Sequence, residues 1–277
     1  MTARRYSLAI ETSGRVGSVA LGRDDELLAA APLSEPRRHI LGLALVIESL
    51  CRSHGVAPVE LAWVAVSLGP GSFTGLRVGI TTAKMLALAT GAKLVGVETL
   101  EVLAAGFLLS LPSGERAGVR GEPTCLSDDT AAAPVSPGAW ERSEPLTLAL
   151  SPQGRGDGDG LRLPGGERGP ESVAVALNVK RGTAYSAAYR GGVEVVPAGL
   201  RTLAELLAGV GRPAALIAEK LPEDAALPEG VALLPPVARA DVLWRLGRRA
   251  AAEQQFVAPA DLLPLYVREP EAVTLWN

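Results

Sequence analysis

The chain has 277 residues, 48% of them hydrophobic, enough to bury one large core or two smaller ones. Thirty acidic against 27 basic residues give a net charge of −3 and a pI near 5.6. That balance excludes a protein held to nucleic acid by a broadly basic face and leaves room only for a local basic patch.

The two cysteines, Cys51 and Cys125, lie far apart without CxxC spacing, so neither a disulfide framework nor a thiolate zinc site is indicated and a reducing, cytoplasmic setting is expected. Ser7 to Glu11 reads as a strand, Thr12 to Gly17 as a turn, and Ser18 to Gly22 as the returning strand. Glu11 interrupts the first apolar run before a signal-peptide core could form. The longest aliphatic stretch, Ile40 to Ile47, falls far short of the ~20 residues that span a bilayer, so neither export nor membrane insertion is expected. Leu27 to Ala31 reads as a further strand. A helix is predicted from Pro36 to about Ser53, with Ile40, Leu43, Ile47 and Leu50 on one stripe, Leu41, Leu45 and Val46 widening it, and Gly55 as its stop. Leu61 to Leu68 is a buried strand, and a second helix covers about Gly75 to Thr90 and ends at Gly91. Lys93 to Val97 is another strand, and Thr99 is a candidate cap for a helix with Glu101 in its first turn.

Residues 110–172 break this rhythm. They hold 11 Gly and 8 Pro in 63 positions, about 30%, against about 15% elsewhere, which marks a low-complexity segment expected to be disordered. Six basic and ten acidic residues give this insert a charge of −4 and leave the rest of the chain at +1. Its stretch PLTLALSPQGRGDGDG, Pro145 to Gly160, resembles the translation of an interspersed bacterial repeat element; a functional loop is the rival reading. Patterned sequence resumes with strands over Val173 to Val179, Ala184 to Tyr189 and Val193 to Val196. A helix at about Thr202 to Leu207, strands at Ala214 to Ala218 and Val231 to Leu234, and a helix from Ala240 to Glu253 follow. Hairpin strands and then alternating helix and strand thus occur twice, so two related α/β halves, residues 1–109 and 173–277, are expected around the insert.

The stretch SLGPGSFTGLRVG, Ser67 to Gly79, looks like a phosphate loop but fits neither standard fingerprint. A Walker A loop needs lysine directly after its second glycine, and no lysine occurs before Lys84; a dinucleotide fingerprint needs glycine where Thr74 stands. What remains is a tight turn, with Gly69 and Gly71 free to take positive φ, and a helix start capped by Ser72 or Thr74. Such a start suits an anion, whereas the simpler reading is a turn whose glycines let the helix pack closely. Glu11, Thr12 and Ser13 pose the same choice between turn closure and contact with a phosphate or hydrated metal. The candidate anion or nucleotide contacts are therefore Glu11, Thr12, Ser13, Gly69, Gly71, Ser72, Thr74 and Gly75. His39 and His54 stand 15 residues apart, which excludes an HExxH metal pair, and there is no GxSxG nucleophile elbow. Both long N-terminal helices are poor in charge: Ile40 to Leu50 carries only Glu48, and Val78 to Ala92 only Lys84. Burial and an apolar face kept for a partner both explain that. Arg245, Arg248 and Arg249 on the last helix read as a solvated face, with RNA contact as the alternative.

The combination LAIETS (Leu8–Ser13), RRH at the start of a helix (Arg37–His39), SLGPGSFTGLRVGI and LVGVETL (Leu94–Leu100), continuing after the insert with ALNVKRGTAYSAAY (Ala176–Tyr189) and PLYVR (Pro264–Arg268), closely resembles the TsaB family, also called YeaZ. The resemblance implies a two-lobed actin-like ATPase fold, each lobe built on a ribonuclease-H-like sheet, with the long insert between the lobes and the last helix returning toward the first lobe. It also implies a non-catalytic subunit that activates TsaD. That related subunit carries the metal and transfers threonylcarbamoyl from threonylcarbamoyl-AMP to the adenosine beside the anticodon of tRNA, and TsaE is a third, ATP-hydrolysing component. On this reading the chain has no catalytic residue, metal or required cofactor of its own. ATP or ADP and a metal ion act at the level of the complex, tRNA is met through the complex, and the chain alone could homodimerise. The implied partner face comprises His39, Leu43, Ile47, Leu50, Arg77, Ile80 and Lys84, and a charge at Leu43 or Ile47 is expected to abolish pairing with little loss of folding. Asn178 stands where the family pattern often has aspartate, and Glu219-Lys220 replaces a glycine-rich turn. Both departures speak against the rival reading of a stand-alone actin-like-fold ATPase or glycoprotease-like enzyme.

Overall fold

The computed structural model describes residues 5–33, 39–110, 171–180, 182–221 and 226–267; the side chains of residues 39–41 and nearly all of the low-complexity insert lie outside that description. The first sheet takes β1 (Tyr6–Glu11), β2 (Ser18–Arg23), β3 (Glu26–Pro32), β4 (Leu61–Gly69) and β5 (Lys93–Glu98) in the order β3-β2-β1-β4-β5. The β1/β2 and β2/β3 pairs are antiparallel; β1/β4 and β4/β5 are parallel. The second sheet repeats the pattern with β6 (Ser172–Lys180), β7 (Thr183–Arg190), β8 (Val193–Thr202), β9 (Ala215–Ala218) and β10 (Ala232–Leu234), ordered β10-β9-β6-β7-β8. Its β6/β7 and β7/β8 pairs are antiparallel, and β6/β9 and β9/β10 parallel.

Among the described residues five α-helices cover these sheets: α1 (His39–Ser53), α2 (Phe73–Thr90), α3 (Thr99–Ser110), α4 (Leu203–Val210) and α5 (Ala240–Ala252). Strand alternation sorts the first sheet into two faces. Leu8, Ile10, Val64 and Val66 pack with Leu43, Ile47 and Ile80 of α1 and α2. Ala9, Ala20 and Ala65 face the other way, into a core shared with α3, α5 and the inner residues Val173, Val175 and Ala187 of the second sheet. The outer face of the second sheet, including Ala174, Ala188 and Leu216, is covered by Leu206 and Val210 of α4.

The small residues on the inner face of the first sheet make room for α5. Trp244 stacks on Trp63 at 6.4 Å between centroids and donates its indole N–H to the Ser7 hydroxyl at 2.8 Å. A Cβ at Gly22 would run into the Trp244 ring, and one at Gly247 would meet Ala65 at 2.7 Å. Ser18 accepts the Ala240 N–H at 3.0 Å, so a strand of the first sheet caps a helix that lies 222 residues further on. Among the described residues no helix is long and apolar enough to cross a membrane.

Local signals fixed several helix ends. α2 begins at Phe73, two residues before the predicted start, because the Ser72 hydroxyl caps it by accepting from Gly75 N–H; Gly91, at φ 72°, closes it in the left-handed conformation. Thr202 and Glu205 form a capping box on α4. β8 runs to Thr202, beyond the predicted end at Val196. It is an edge strand, where Pro197 does not break the ladder.

Candidate functional site

The turn after β1 is built around a buried acid. Glu11 is fully buried, and its Oε1 accepts from the Ser13 N–H at 2.7 Å and the Ser13 hydroxyl at 2.5 Å. Burial pushes its carboxyl above the ordinary carboxylate range, against the opposing effect of Ser13 and Ser67. The Ser67 hydroxyl, Glu11 Oε2 and Thr12 Oγ1 are buried with no hydrogen-bond partner among the described residues. The start of α2 closes directly on this turn, with Ser72 N–H donating to the Ser13 carbonyl at 2.7 Å. A Cβ at Gly71 would strike the Ser13 carbonyl, one at Gly75 the Thr12 carbonyl, and one at Gly79 the Thr12 hydroxyl. These glycines bring the helix against the β1 turn, so the side of the loop facing β1 is filled by protein.

The chain after α5 crosses the same region. Leu262 is buried in the core beneath α1 and α2, Leu265 N–H donates to Leu68 O at 2.7 Å, and the Tyr266 hydroxyl accepts from Arg77 Nε at 2.9 Å. The Arg77 guanidinium lies 3.8 Å above the Phe73 ring centroid, and the Phe73 and Tyr266 rings are 5.2 Å apart. Beside this stack opens a cleft of about 560 Å³, lined by Gly71, Phe73 and Tyr266 on one side and Asn178, Lys180, Glu219 and Lys220 on the other.

A separate surface lies on α1 and α2. Their inward residues fill the core, but Leu45, Met85 and Leu88 are 65%, 60% and 70% exposed. Three large apolar side chains on two adjoining helices are more than scattered surface leucines require.

A sequence profile described as "TsaD: tRNA N6-adenosine threonylcarbamoyltransferase" matches residues 30–119. A Bacillus subtilis protein described as "tRNA threonylcarbamoyladenosine biosynthesis protein TsaB" is 37% identical over 98 residues, 35% of this chain and 43% of the relative. The protein of the same description from Escherichia coli is 36% identical over 99 residues, 36% of this chain and 42% of its own length. The match thus spans about two fifths of these curated relatives. A crystal structure from Pseudomonas aeruginosa, described as an uncharacterized protein with similarity to peptidase YEAZ, superposes over 95% of this chain and 100% of its own, with TM-score 0.61 and 21% identity. The structure titled "YeaZ from Pseudomonas aeruginosa" gives TM-score 0.58 at 22% identity, covering 95% of this chain and 99% of that one. Over about a third of its length the chain is similar to these TsaB proteins. Its fold is the two-lobed, actin-like α/β arrangement, and the repeated sheet order is the mark of that duplication.

The partner residues expected from the TsaB resemblance divide sharply. Leu43, Ile47, Leu50 and Ile80 are only 1–8% exposed, so these core residues have no surface to offer, and a charge at Leu43 or Ile47 would disturb folding itself. Arg77 is exposed but held by Phe73 and Tyr266, Lys84 is half-buried, and the His39 side chain lies outside the described residues. The candidate anion contacts Glu11, Thr12, Ser13, Gly71, Ser72 and Gly75 do converge. Gly69, at φ 110°, packs against Leu76 and Leu265, and Thr74 lies exposed inside the helix and is not its cap. Arg248 and Arg249 are engaged at the surface by Asp25 at 2.7 Å and Glu101 at 2.8 Å. Sequence reasoning placed Leu45 only at the margin of its stripe and missed Met85, Leu88, Phe73 and Tyr266. Of the cleft residues, Asn178 and Glu219-Lys220 stood out in the sequence as departures from the TsaB pattern, whereas Lys180 lay within the matching stretch ALNVKRGTAYSAAY.

Proposed function

We propose that this chain is a non-catalytic, partner-activating subunit in the synthesis of N6-threonylcarbamoyladenosine in tRNA. On this reading it pairs with a threonylcarbamoyltransferase of the TsaD kind through the outer faces of α1 and α2, and a TsaE-type ATPase joins the assembly. The observation that carries the reading is the exposed apolar set Leu45, Met85 and Leu88 on helices whose opposite faces are committed to the core. Depleted charge around a central apolar patch is how protein interfaces differ from ordinary surface. The descriptions of the curated relatives supply the pathway, and the segment matched by the transferase profile contains both helices.

The cellular test is depletion of the protein followed by quantification of the modified adenosine in bulk tRNA. A fall is expected, and unchanged levels would sink the proposal. In vitro, the chain should co-purify with its threonylcarbamoyltransferase and raise transfer by that enzyme while showing no transfer alone. Light scattering with and without the partner separates heterodimer from homodimer.

A further inference from the structure

The cleft beside α2 has two independent peculiarities. The first is aromatic. Only 4% of the chain is Phe, Trp or Tyr, and among the described residues the exposed aromatic rings are Phe73 (48%) and Tyr266 (43%), both on the same cleft wall. The second is cationic: Lys180 and Lys220 stand across from them on the second lobe, and the Arg77 guanidinium lies behind the Phe73 ring. Volume alone, about 560 Å³, would suit a small molecule. The lining argues otherwise, because Gly71, Phe73, Asn178, Lys180, Glu219, Lys220 and Tyr266 are all exposed and form an open trough, whereas a small-molecule site usually buries most of its ligand. A phosphate here would also meet lysine point charges and not a glycine cradle, since Gly71 and Gly75 are packed against Ser13 and Thr12.

We propose that this trough binds a single-stranded segment of RNA, with a base laid on the exposed Phe73 and Tyr266 rings and the adjoining phosphates met by Lys180 and Lys220. Aromatic platforms beside lysines suit splayed bases, whose faces all stack, and cannot engage the buried faces of a duplex. Glu219 provides an acceptor for a 2′-hydroxyl or amino group, and the Asn178 amide both donates and accepts at a base edge. The site is local, which reconciles RNA contact with a chain of net charge −3. Choice of tRNA as the source of that strand rests on the function proposed above; the binding chemistry does not.

The test is fluorescence anisotropy of the purified full chain with a labelled oligouridylate and with a blunt RNA duplex of equal length, across a salt series. The single strand is expected to bind more tightly. The double variant Lys180→Gln/Lys220→Gln should weaken it and flatten the log–log salt dependence by about 1.4, at roughly 0.7 per lost phosphate contact on a single strand. Phe73→Leu, which keeps apolar bulk but removes the ring, should lower affinity on the order of tenfold, with thermal melting showing each variant folded. Equal binding of duplex and single strand, indifference to all these substitutions, or full displacement by ADP or polyglutamate at concentrations where oligouridylate does not compete would each overturn the proposal. If depletion lowers tRNA modification while these variants bind RNA normally, the trough is refuted and the subunit role stands. If binding follows the trough but modification survives depletion, the reverse holds.

Discussion

Gly75 and Gly42 both interrupt helical sequence, yet they impose opposite demands. An added methyl at Gly75 collides with the Thr12 carbonyl, a backbone atom that cannot swing away, whereas at Gly42 nothing lies within 4 Å. Gly75→Ala should therefore destabilise the protein by about 1–3 kcal/mol, and Gly42→Ala should stabilise it by about 0.5–1 kcal/mol through helix propensity. Urea midpoints at unchanged slope would report both signs. Glu11 makes a different prediction. Its native pKa lies above its ordinary 4.5, so the folded state binds the proton more readily than the unfolded chain does, and its contribution to stability declines as pH rises from 4.5 through the raised native value. Replacing it by Gln should remove that decline: unfolding free energies measured across pH 4–8, a span set by ordinary carboxylate and His ranges, should show wild type losing ground to Glu11→Gln as pH increases. A parallel pair of curves would refute the assignment. At this scale the sequence was informative where chemistry is local. Ser72 could be read as a cap because its partner, Gly75 N–H, is three residues away. The Arg77–Tyr266 bond joins residues 189 positions apart and left no trace in periodicity.

Helices α1 and α2 were recognisable as elements, but not by the face each presents. Leu43 and Leu45 are the same residue type two positions apart; one is 1% and the other 65% exposed. When a helix is apolar on several sides, period alone does not say which stripe the sheet will take. The structure resolves this into a prediction with two arms. Leu88→Glu or Leu45→Glu should leave thermal stability within about 0.5 kcal/mol, as surface changes usually do, while abolishing co-purification with the transferase. Leu43→Glu should instead unfold the protein, by roughly the 3 kcal/mol or more expected of a buried unpaired charge. Retained partner binding by the stable Leu88→Glu variant would remove α2 from the interface. β8 shows the complementary failure of local reading: Pro197 and Gly199 look like breakers, yet the strand continues to Thr202 because its edge position leaves one side of the ladder unneeded.

Across the whole molecule, the doubled sheet topology was legible because each hairpin-then-alternation pattern carries its own hydrophobic periods. The residues that join the halves were not, since Trp244 could be assigned to Ser7, Gly22 and Trp63 only in three dimensions. Removing that ring is expected to be costly: Trp244→Ala should destabilise by about 3–5 kcal/mol. A fragment ending at Ser110 should fail to fold cooperatively alone and regain native circular dichroism when mixed with residues 171–277; a stable isolated fragment would disprove the dependence. The return of α5 onto the first sheet also sets a schedule for synthesis. The sheet is fully translated by Glu98 and α3 by Ser110, yet α5, which completes the cover of its inner face, ends only at Ala252. At roughly 5–20 residues per second, a ribosome leaves that cover incomplete for about 8–30 s. The low-complexity stretch, residues 110–172, lies between that sheet and α5 and lengthens the interval by its own time of translation.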